Sequence, residues 1–395
     1  MRRKLLIIAL LPLLAALSGC WDRREINDVV FVSATAVDRK DDKYQITIQF
    51  PLPGQMGGAG SGGGGGGTSG QKPWHTASAV GRTGREANAE QQASLSRILN
   101  FSHRRVLILG EEAAKAGTSD VMDILGRIPQ NRMSAYVFVT EGEAHKLFKV
   151  DSSLEKMPAE LLREIAGMTY KRARTIEDFV DAILSEGIDP YLPYLAAVKA
   201  TQADNPDAPK IAMLKGVALF KGDKLETVLK DSLAQGMLLA LNQAKLPVIT
   251  VKAPSGEGFI SLQASNYDVR ISASPGSAAP SFRFVIEGKL QIMENNSNFR
   301  ASESAETIAG LERAVNLHIE RVVREAFAET QRHGVDPAGL GEFLYQHYPR
   351  YWQRVKPEWR SVYGRADLSF HSRLEYQHPG TVTYPVGIPE KELVP

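Results

Sequence analysis

The 395-residue chain reads as a multidomain protein of two to three domains, α/β and α+β mixed, with a mixed sheet N-terminally and a largely antiparallel sheet with a long helix C-terminally. Three observations predict this. Between residues 84 and 140 helical segments alternate with apolar strands, the pattern of an α/β layer with some parallel pairing. Between 211 and 295 short strand-like runs are separated by turn residues, which favours antiparallel neighbours. From 303 to 334 one helical period persists almost unbroken, and the total length exceeds what a single core usually organises.

The chain opens with Arg2, Arg3 and Lys4, followed by the apolar run LLIIALLPLLAAL over 5–17, broken only by Pro12. This is the layout of a secretory signal peptide, and the run falls short of the roughly 20 apolar residues of a spanning helix. Residues 1–19 are therefore read as a lipoprotein signal peptide. Cys20 is the sole cysteine and sits directly behind the small pair Ser18 and Gly19. A lone cysteine is ordinarily a small core residue, but at a cleavage-like junction it reads as an attachment point. The stretch L-S-G-C resembles the lipobox of bacterial lipoproteins, which implies a diacylglycerol on the Cys20 sulfur. Two acyl chains at about 0.8 kcal/mol per buried CH₂ suffice for stable anchoring. No disulfide can brace the mature chain, and no second run of about 18 apolar residues follows.

Residues 20–150 form the expected N-terminal α/β domain. Asp22 and Glu25 have capping-box spacing before the apolar stretch VVFVSATAV. KYQITIQF then alternates, with Tyr44, Ile46, Ile48 and Phe50 on one face and Lys43, Gln45, Thr47 and Gln49 on the other; the turn DRKDDK makes this a hairpin with one wet face. The Gly-rich loop 54–70 lacks the Gly-Lys-Ser/Thr end of a phosphate loop and is a low-complexity surface loop. The helix GREANAEQQASLSRIL, the strand RRVLILG, the helical EEAAKAG and DVMDILGRI, and the strand AYVFVT complete the layer.

Residues 151–210 read as a mostly helical region or second domain: MPAELLREIAGM, then TIEDFVDAILSEG opening on a Thr175 cap, then the proline-rich DPYLPYL. The polar stretch TQADNPDAPK is the main expected boundary. A C-terminal α+β domain follows over 211–385, with a tail at 386–395. Its strands are GVALF, KLETVL, PVITVKAP, FISLQASNYDVRISA and FRFVIEGKLQIM. Its long helix carries Ile308, Leu311, Val315, Ile319, Val322 and Ala326 three and four apart, places Glu320 to pair with Arg324, and ends at Gly334. Such a stripe packs against a sheet; a coiled-coil partner needs a longer repeat.

Beyond it, Tyr345, Tyr348, Trp352, Val355 and Trp359 recur at helical spacing, with Pro349 and Pro357 at first-turn positions of short helices. Arg350, Arg354, Lys356 and Arg360 lie off that stripe. They are candidates for contact with anionic lipid headgroups or with acidic loops of a partner subunit, the plain alternative being a solvated face.

A search for chemistry comes back empty. The eight histidines, at 75, 103, 145, 318, 333, 347, 371 and 378, show no metal-ligand spacing. There is no GxSxG and no second thiol. The one S-x-x-K match, Ser153 to Lys156, lacks its companion motifs, and its serine is more simply a helix cap. Removing residues 1–19 leaves 44 basic side chains against 45 acidic ones, a balance that offers no basic surface for nucleic acid. Neither a catalytic residue, a metal nor a cofactor is expected, apart from the lipid.

Four stretches together resemble one family. GCWDRREINDVVFV at 19–32, VLILGEEAAKAG with DILGRIPQNR after it, GVALFKGDKLETVL at 216–229 and VDPAGLGEFLYQHYPRYWQRVKPEW at 335–359 are similar to the Ger(x)C lipoproteins, the C subunits of spore germinant receptors. The resemblance implies a lipoprotein on the outer face of the spore inner membrane, beside two integral membrane subunits, A and B. It implies a non-enzymatic subunit that helps convert nutrient binding into germination. The alternative is a lipid-anchored solute-binding protein of a transporter, which should alternate strand and helix regularly in both halves, with a membrane-tethered enzyme third. Two departures stand out. Where the family tends to carry a G-x-D turn this chain has Ala36, Val37 and Asp38. Arg127 and Arg132 match an R-x-P-x-x-R pattern, but Ile128 takes the place of an often acidic residue, which puts an ion pair there in doubt.

Overall fold

The structure is a computed structural model and describes residues 25–52, 72–152, 154–200, 208–254, 256–297, 299 and 305–378. The signal peptide, Cys20, Asp22, the Gly-rich loop 54–70, Ser153, most of the polar stretch 201–210 and the tail lie outside these residues.

Fourteen strands and ten helices of six residues or more are described, with three 3-10 turns at Ile26–Asp28, Ala144–Lys149 and Lys356–Glu358. In chain order the strands are β1 (Val29–Phe31), β2 (Ala34–Lys40), β3 (Lys43–Pro51), β4 (Trp74–Gly81), β5 (Ile98–Asn100), β6 (Val106–Gly110), β7 (Tyr136–Thr140), β8 (Tyr191–Lys199), β9 (Lys210–Lys221), β10 (Lys224–Lys230), β11 (Val248–Lys252), β12 (Phe259–Ser274), β13 (Ser281–Asn295) and β14 (Asp367–His378). The helices are α1 (Gly84–Ala93), α2 (Glu111–Ala116), α3 (Ser119–Arg127), α4 (Pro158–Thr169), α5 (Ile176–Leu184), α6 (Asp231–Ala240), α7 (Ala305–His333), α8 (Leu340–His347), α9 (Pro349–Val355) and α10 (Trp359–Gly364).

The N-terminal sheet has eight strands in the order β10-β9-β8-β7-β6-β2-β3-β4. Its centre is parallel, β8 to β7 to β6 to β2, and antiparallel pairs flank it on both sides. The parallel pairing follows from the intervening helices, which carry the chain back over a sheet face before each new strand. The β2–β3 hairpin turns at Asp41 and Asp42, both at positive φ (48° and 58°), the geometry that twists with the strands.

That hairpin corrects the expectation of one wet face. Tyr44, Ile46, Ile48 and Phe50 are buried under α1 and α3, as their alternation predicts. Thr47 and Gln49 on the opposite face are buried as well, because the 3-10 turn Ala144–Lys149 and α4 cover it. The amides explain how: the Gln49 side chain accepts from Ala159 N at the start of α4. The Ala36-Val37-Asp38 segment is no turn but lies within β2. Asp38 accepts from Ala144 N and His145 N and so caps the 3-10 turn.

Two further expectations shift. DPYLPYL, read within a helical region, forms most of β8; Pro193 sits opposite Val217 in the β9 register. The polar stretch 201–210 joins β8 to β9 of one antiparallel pair, so the N-terminal sheet continues through residue 230.

The C-terminal sheet, β11-β12-β13-β14, is antiparallel except for its β13–β14 pair. The 29-residue α7 lies across it and buries Leu311, Val315, Ile319, Val322, Val323, Ala326 and Phe327. The helix also satisfies the outer edge of β14: Glu312, Asn316 and Glu320, one turn apart, accept the backbone N–H groups of Tyr376, Leu374 and Ser372. Glu320 thus turns to the strand rather than to Arg324, and an open sheet edge is closed by side chains. Helix α6 crosses α7 at Gly236, where an added Cβ would stand 2.4 Å from Val322 O. One continuous apolar core runs from Tyr191, Val217 and Leu219 of the first sheet through α6 to Phe284 and Phe370 of the second. The second half is therefore no repeat of the α/β layer.

Candidate functional site

The stretch with the most distinctive composition, 335–360, folds as a cap of short helices packed on the apolar core of α7 and the C-terminal sheet. Pro349 and Pro357 stand in the first turns of α9 and of the 3-10 turn after it, where the missing N–H costs nothing. Trp352 (1 % exposed) and Trp359 (8 %) are core residues packed edge to face, with ring centroids 5.4 Å apart. Tyr348 is half-buried and its hydroxyl donates to Ala273 O. Tyr345 departs from the stripe and is 55 % exposed, because α8 buries the face of Leu340, Gly341 and Leu344, and the break at Tyr348 keeps its helical phase from continuing into α9.

The four basic residues fall into two classes. Arg360 forks onto both oxygens of Asp189 at 2.9 Å each and also donates to Gly334 O. Lys356 pairs with Glu186 at 2.5 Å. Both therefore tie the cap to the loop that leads into β8. Arg354 lies over the Tyr351 ring at 5.2 Å with its side chain exposed. Arg350 is exposed and has no ion pair among the described residues. Of the candidate contact residues, Arg350 and Arg354 remain presented to solvent, while Arg360 and Lys356 are engaged within the chain.

What sequence reasoning missed is the pair of aspartates beneath Arg360. Asp189 and Asp336 are buried, and the backbone N–H of Asp189 donates to Asp336 O while that of Asp336 donates to Asp189 Oδ2. Asp189 also accepts from Gly222 N in the β9–β10 turn. Asp336 accepts from Leu340 N and Gly341 N at the start of α8 and from the Trp359 indole. Burial pushes the Asp336 carboxyl up to about 7, against the pull of these N–H donors. The two loops touch backbone to backbone: Gly187, at φ +81°, faces Gly341, where an added Cβ would stand 2.6 Å from the Gly187 Cα. Both aspartates precede a proline, Pro190 and Pro337, and follow a glycine by two positions, Gly187 and Gly334. That repeated G-x-D-P is the one signal that could have paired them.

Arg127 pairs with Asp123 on the surface of α3, at 2.6 Å, and Arg132 is exposed. Among the described residues no three His, Cys, Asp or Glu side chains are placed to hold a metal ion, and no helix is long and apolar enough to cross a membrane.

Comparison with known proteins gives a concordant result. Residues 22–197 match the spore germination protein N-terminal domain, and residues 215–380 the spore germination B3/GerAC-like C-terminal domain. The putative spore germination protein YfkR of Bacillus subtilis (strain 168) is 38% identical over 373 residues, covering 93% of this chain and 95% of the relative. Spore germination protein KC of the same organism is 26% identical over 380 residues, 92% of each chain. The crystal structure of the GerBC protein shares the fold, with a TM-score of 0.57 at 18% identity over 87% of this chain and 97% of that one.

Proposed function

The chain belongs to the GerAC-like spore germination protein family, and on that premise we propose that it is the non-enzymatic, lipid-anchored subunit of a nutrient germinant receptor. In this reading Cys20 carries the diacylglycerol, the protein sits on the outer face of the spore inner membrane, and its partners are the integral membrane A and B subunits. The observation that carries it is one of order and extent: the two domain matches run from residue 22 to residue 380, and the first begins two residues after the only cysteine.

The structure supports a transmitting rather than a freely hinged body. The two sheets share one apolar core, and the Asp189–Arg360 fork ties the helical cap to the N-terminal sheet. A displacement imposed at the cap is then carried to the sheet by packed elements. Arg350 and Arg354, the exposed cations of the cap that form no ion pair among the described residues, are the proposed contact with acidic loops of a membrane subunit.

The test is membrane fractionation of spores carrying Cys20→Ala. The variant should be lost from the inner-membrane fraction and nutrient germination through this receptor should fall, since the anchor is the chain's grip on the bilayer. Undiminished retention would contradict the reading.

A further inference from the structure

The N-terminal domain buries a cation with no anion beside it. Arg104, 4 % exposed, lies just before β6. Its Nε donates to Thr35 Oγ1 at 3.1 Å and its guanidinium lies over the Phe101 ring at 4.9 Å. Its Nη1 is buried and makes no hydrogen bond, and no carboxylate among the described residues pairs with it. Burial alone draws its pKa down to about 10, with no neighbouring charge opposing the shift. A guanidinium is ordinarily kept in an interior by a carboxylate or phosphate that accepts its fork, and a lone buried charge is costly.

Arg104 forms part of the wall of a cavity of about 520 Å³ between the β2–β3 hairpin, α1 and α3. An apolar strip of Val37, Ile46, Leu107, Val121 and Ile124 makes up much of the rest of the wall, which also carries the exposed cations Arg85 and Arg127. Two amide oxygens of residues that line it, Asn88 Oδ1 and Asn131 Oδ1, are likewise buried without a partner. Asn131 spends its amide N–H on Leu125 O, which leaves its oxygen free to accept. The acids at the site, Asp120 and Asp123, are exposed and already engaged, with the Tyr44 hydroxyl and Arg127. A fully packed core would not leave an unpaired guanidinium N–H, two unpaired acceptors and this much space together. The space is far larger than an inorganic anion needs, and its lining calls for an apolar body.

We propose that this cavity binds a small organic carboxylate, whose carboxyl group pairs with Arg104 and whose apolar body packs on Val37, Ile46, Leu107, Val121 and Ile124. A hydroxyl or amino group on the same molecule would find its acceptors in Asn88 and Asn131. The site places a soluble-ligand input in the α/β half, on the opposite side of β2 from the Asp38 cap. It stands or falls independently of the lipid anchor, since neither Cys20 nor the membrane subunits enter the argument.

The test uses the full-length chain in phosphatidylcholine nanodiscs with ¹³C-labelled Ile, Leu and Val methyl groups. It is titrated with acetate, 4-methylpentanoate and 3-phenylpropanoate, and with the neutral amides of the last two. Saturable shifts confined to the methyls of Val37, Ile46, Leu107, Val121 and Ile124 are expected with the two larger acids. The amides and acetate should bind at least about tenfold more weakly, the first for want of a charge-assisted pair and the second for want of apolar contact. Arg104→Met should melt at or above the wild-type temperature, because an apolar chain replaces an unpaired charge, and should no longer distinguish acid from amide. If that variant does not fold, Arg104→Lys, which keeps the charge but loses the fork, should weaken the acids selectively. No shifts with any acid, equal shifts with acid and amide, or an undiminished preference for the acid in the variant would overturn the proposal.

Discussion

Replacing Arg360 by alanine tests whether the cap is locked to the N-terminal sheet or whether this arginine is free for a partner, as its place in the sequence suggests. The magnitude can be worked from the geometry. Breaking a fully buried pair costs about 3–5 kcal/mol and an exposed one about 0–1 kcal/mol. Here the carboxylate is buried, 8 % exposed, but the arginine side chain is 45 % exposed. Asp189 also keeps its N–H donors from Gly222 and Asp336 when the arginine is removed, so the loss is expected near 2 kcal/mol. Urea unfolding followed by tryptophan emission measures it, with Trp359 donating to Asp336 next to the lesion. Arg354→Ala is the control, because a surface cation stacked on one ring should change stability by about 0.5 kcal/mol or less. A double-mutant cycle of Arg360→Ala with Asp189→Ala should return a coupling of about 1–2 kcal/mol. A variant indistinguishable from wild type, or a coupling of zero, would refute the lock and return Arg360 to the list of free contact residues.

Trp352→Ala should cost about 3–5 kcal/mol in the same urea assay, as expected for a large buried aromatic; a cost under about 1 kcal/mol would mean that the cap is not part of the core. Asp336 makes stability fall with rising pH: its raised folded pKa of about 7 against 3.8 means the folded chain holds a proton the unfolded chain has lost, so stability present below about pH 4 is lost as pH rises through 7. Between pH 5 and 8 that amounts to about 2–3 kcal/mol, and Asp336→Asn should flatten the curve; parallel curves would show that Asp336 is not the group responsible. Asn316→Ala frees both the N–H and the C=O of Leu374, and should raise amide exchange along β14 while costing about 2 kcal/mol. Unchanged exchange there would mean that the edge is protected by something other than α7.

Where one element's own residues determine its form, the sequence is legible. The α7 stripe, the Thr175 cap, which closes a full capping box with Asp178, and the apolar face of β3 all follow from spacing within a few residues. The first-turn prolines of the cap do so too. What stayed hidden depends on a distant segment. The wet face of the hairpin is wrong because α4 arrives 110 residues later to cover Gln49. Strand β8 is masked by Pro190 and Pro193, which demote a strand reading. Strand β14 shows in the alternation of Leu368, Phe370, Leu374 and Tyr376 within DLSFHSRLEYQH, but the closing of its edge by Glu312, Asn316 and Glu320 of α7 does not. Arg360 looks free until Asp189 meets it across 171 residues. Arg104, in the pair Arg104-Arg105, carries no local sign of burial, and Arg105 beside it forms an ordinary surface pair with Glu160.

The most direct test of the account is purification of the affinity-tagged chain from mildly solubilised spore inner membranes, with proteins identified by mass spectrometry and the N-terminal peptide weighed. The account predicts two multi-spanning membrane proteins in the wild-type eluate and a diacylglycerol-modified Cys20. It also predicts a loss of those two proteins with the Arg350→Glu, Arg354→Glu double variant, whose melt should match wild type. An eluate without multi-spanning partners, or an unmodified Cys20 in membrane-derived protein, would contradict it.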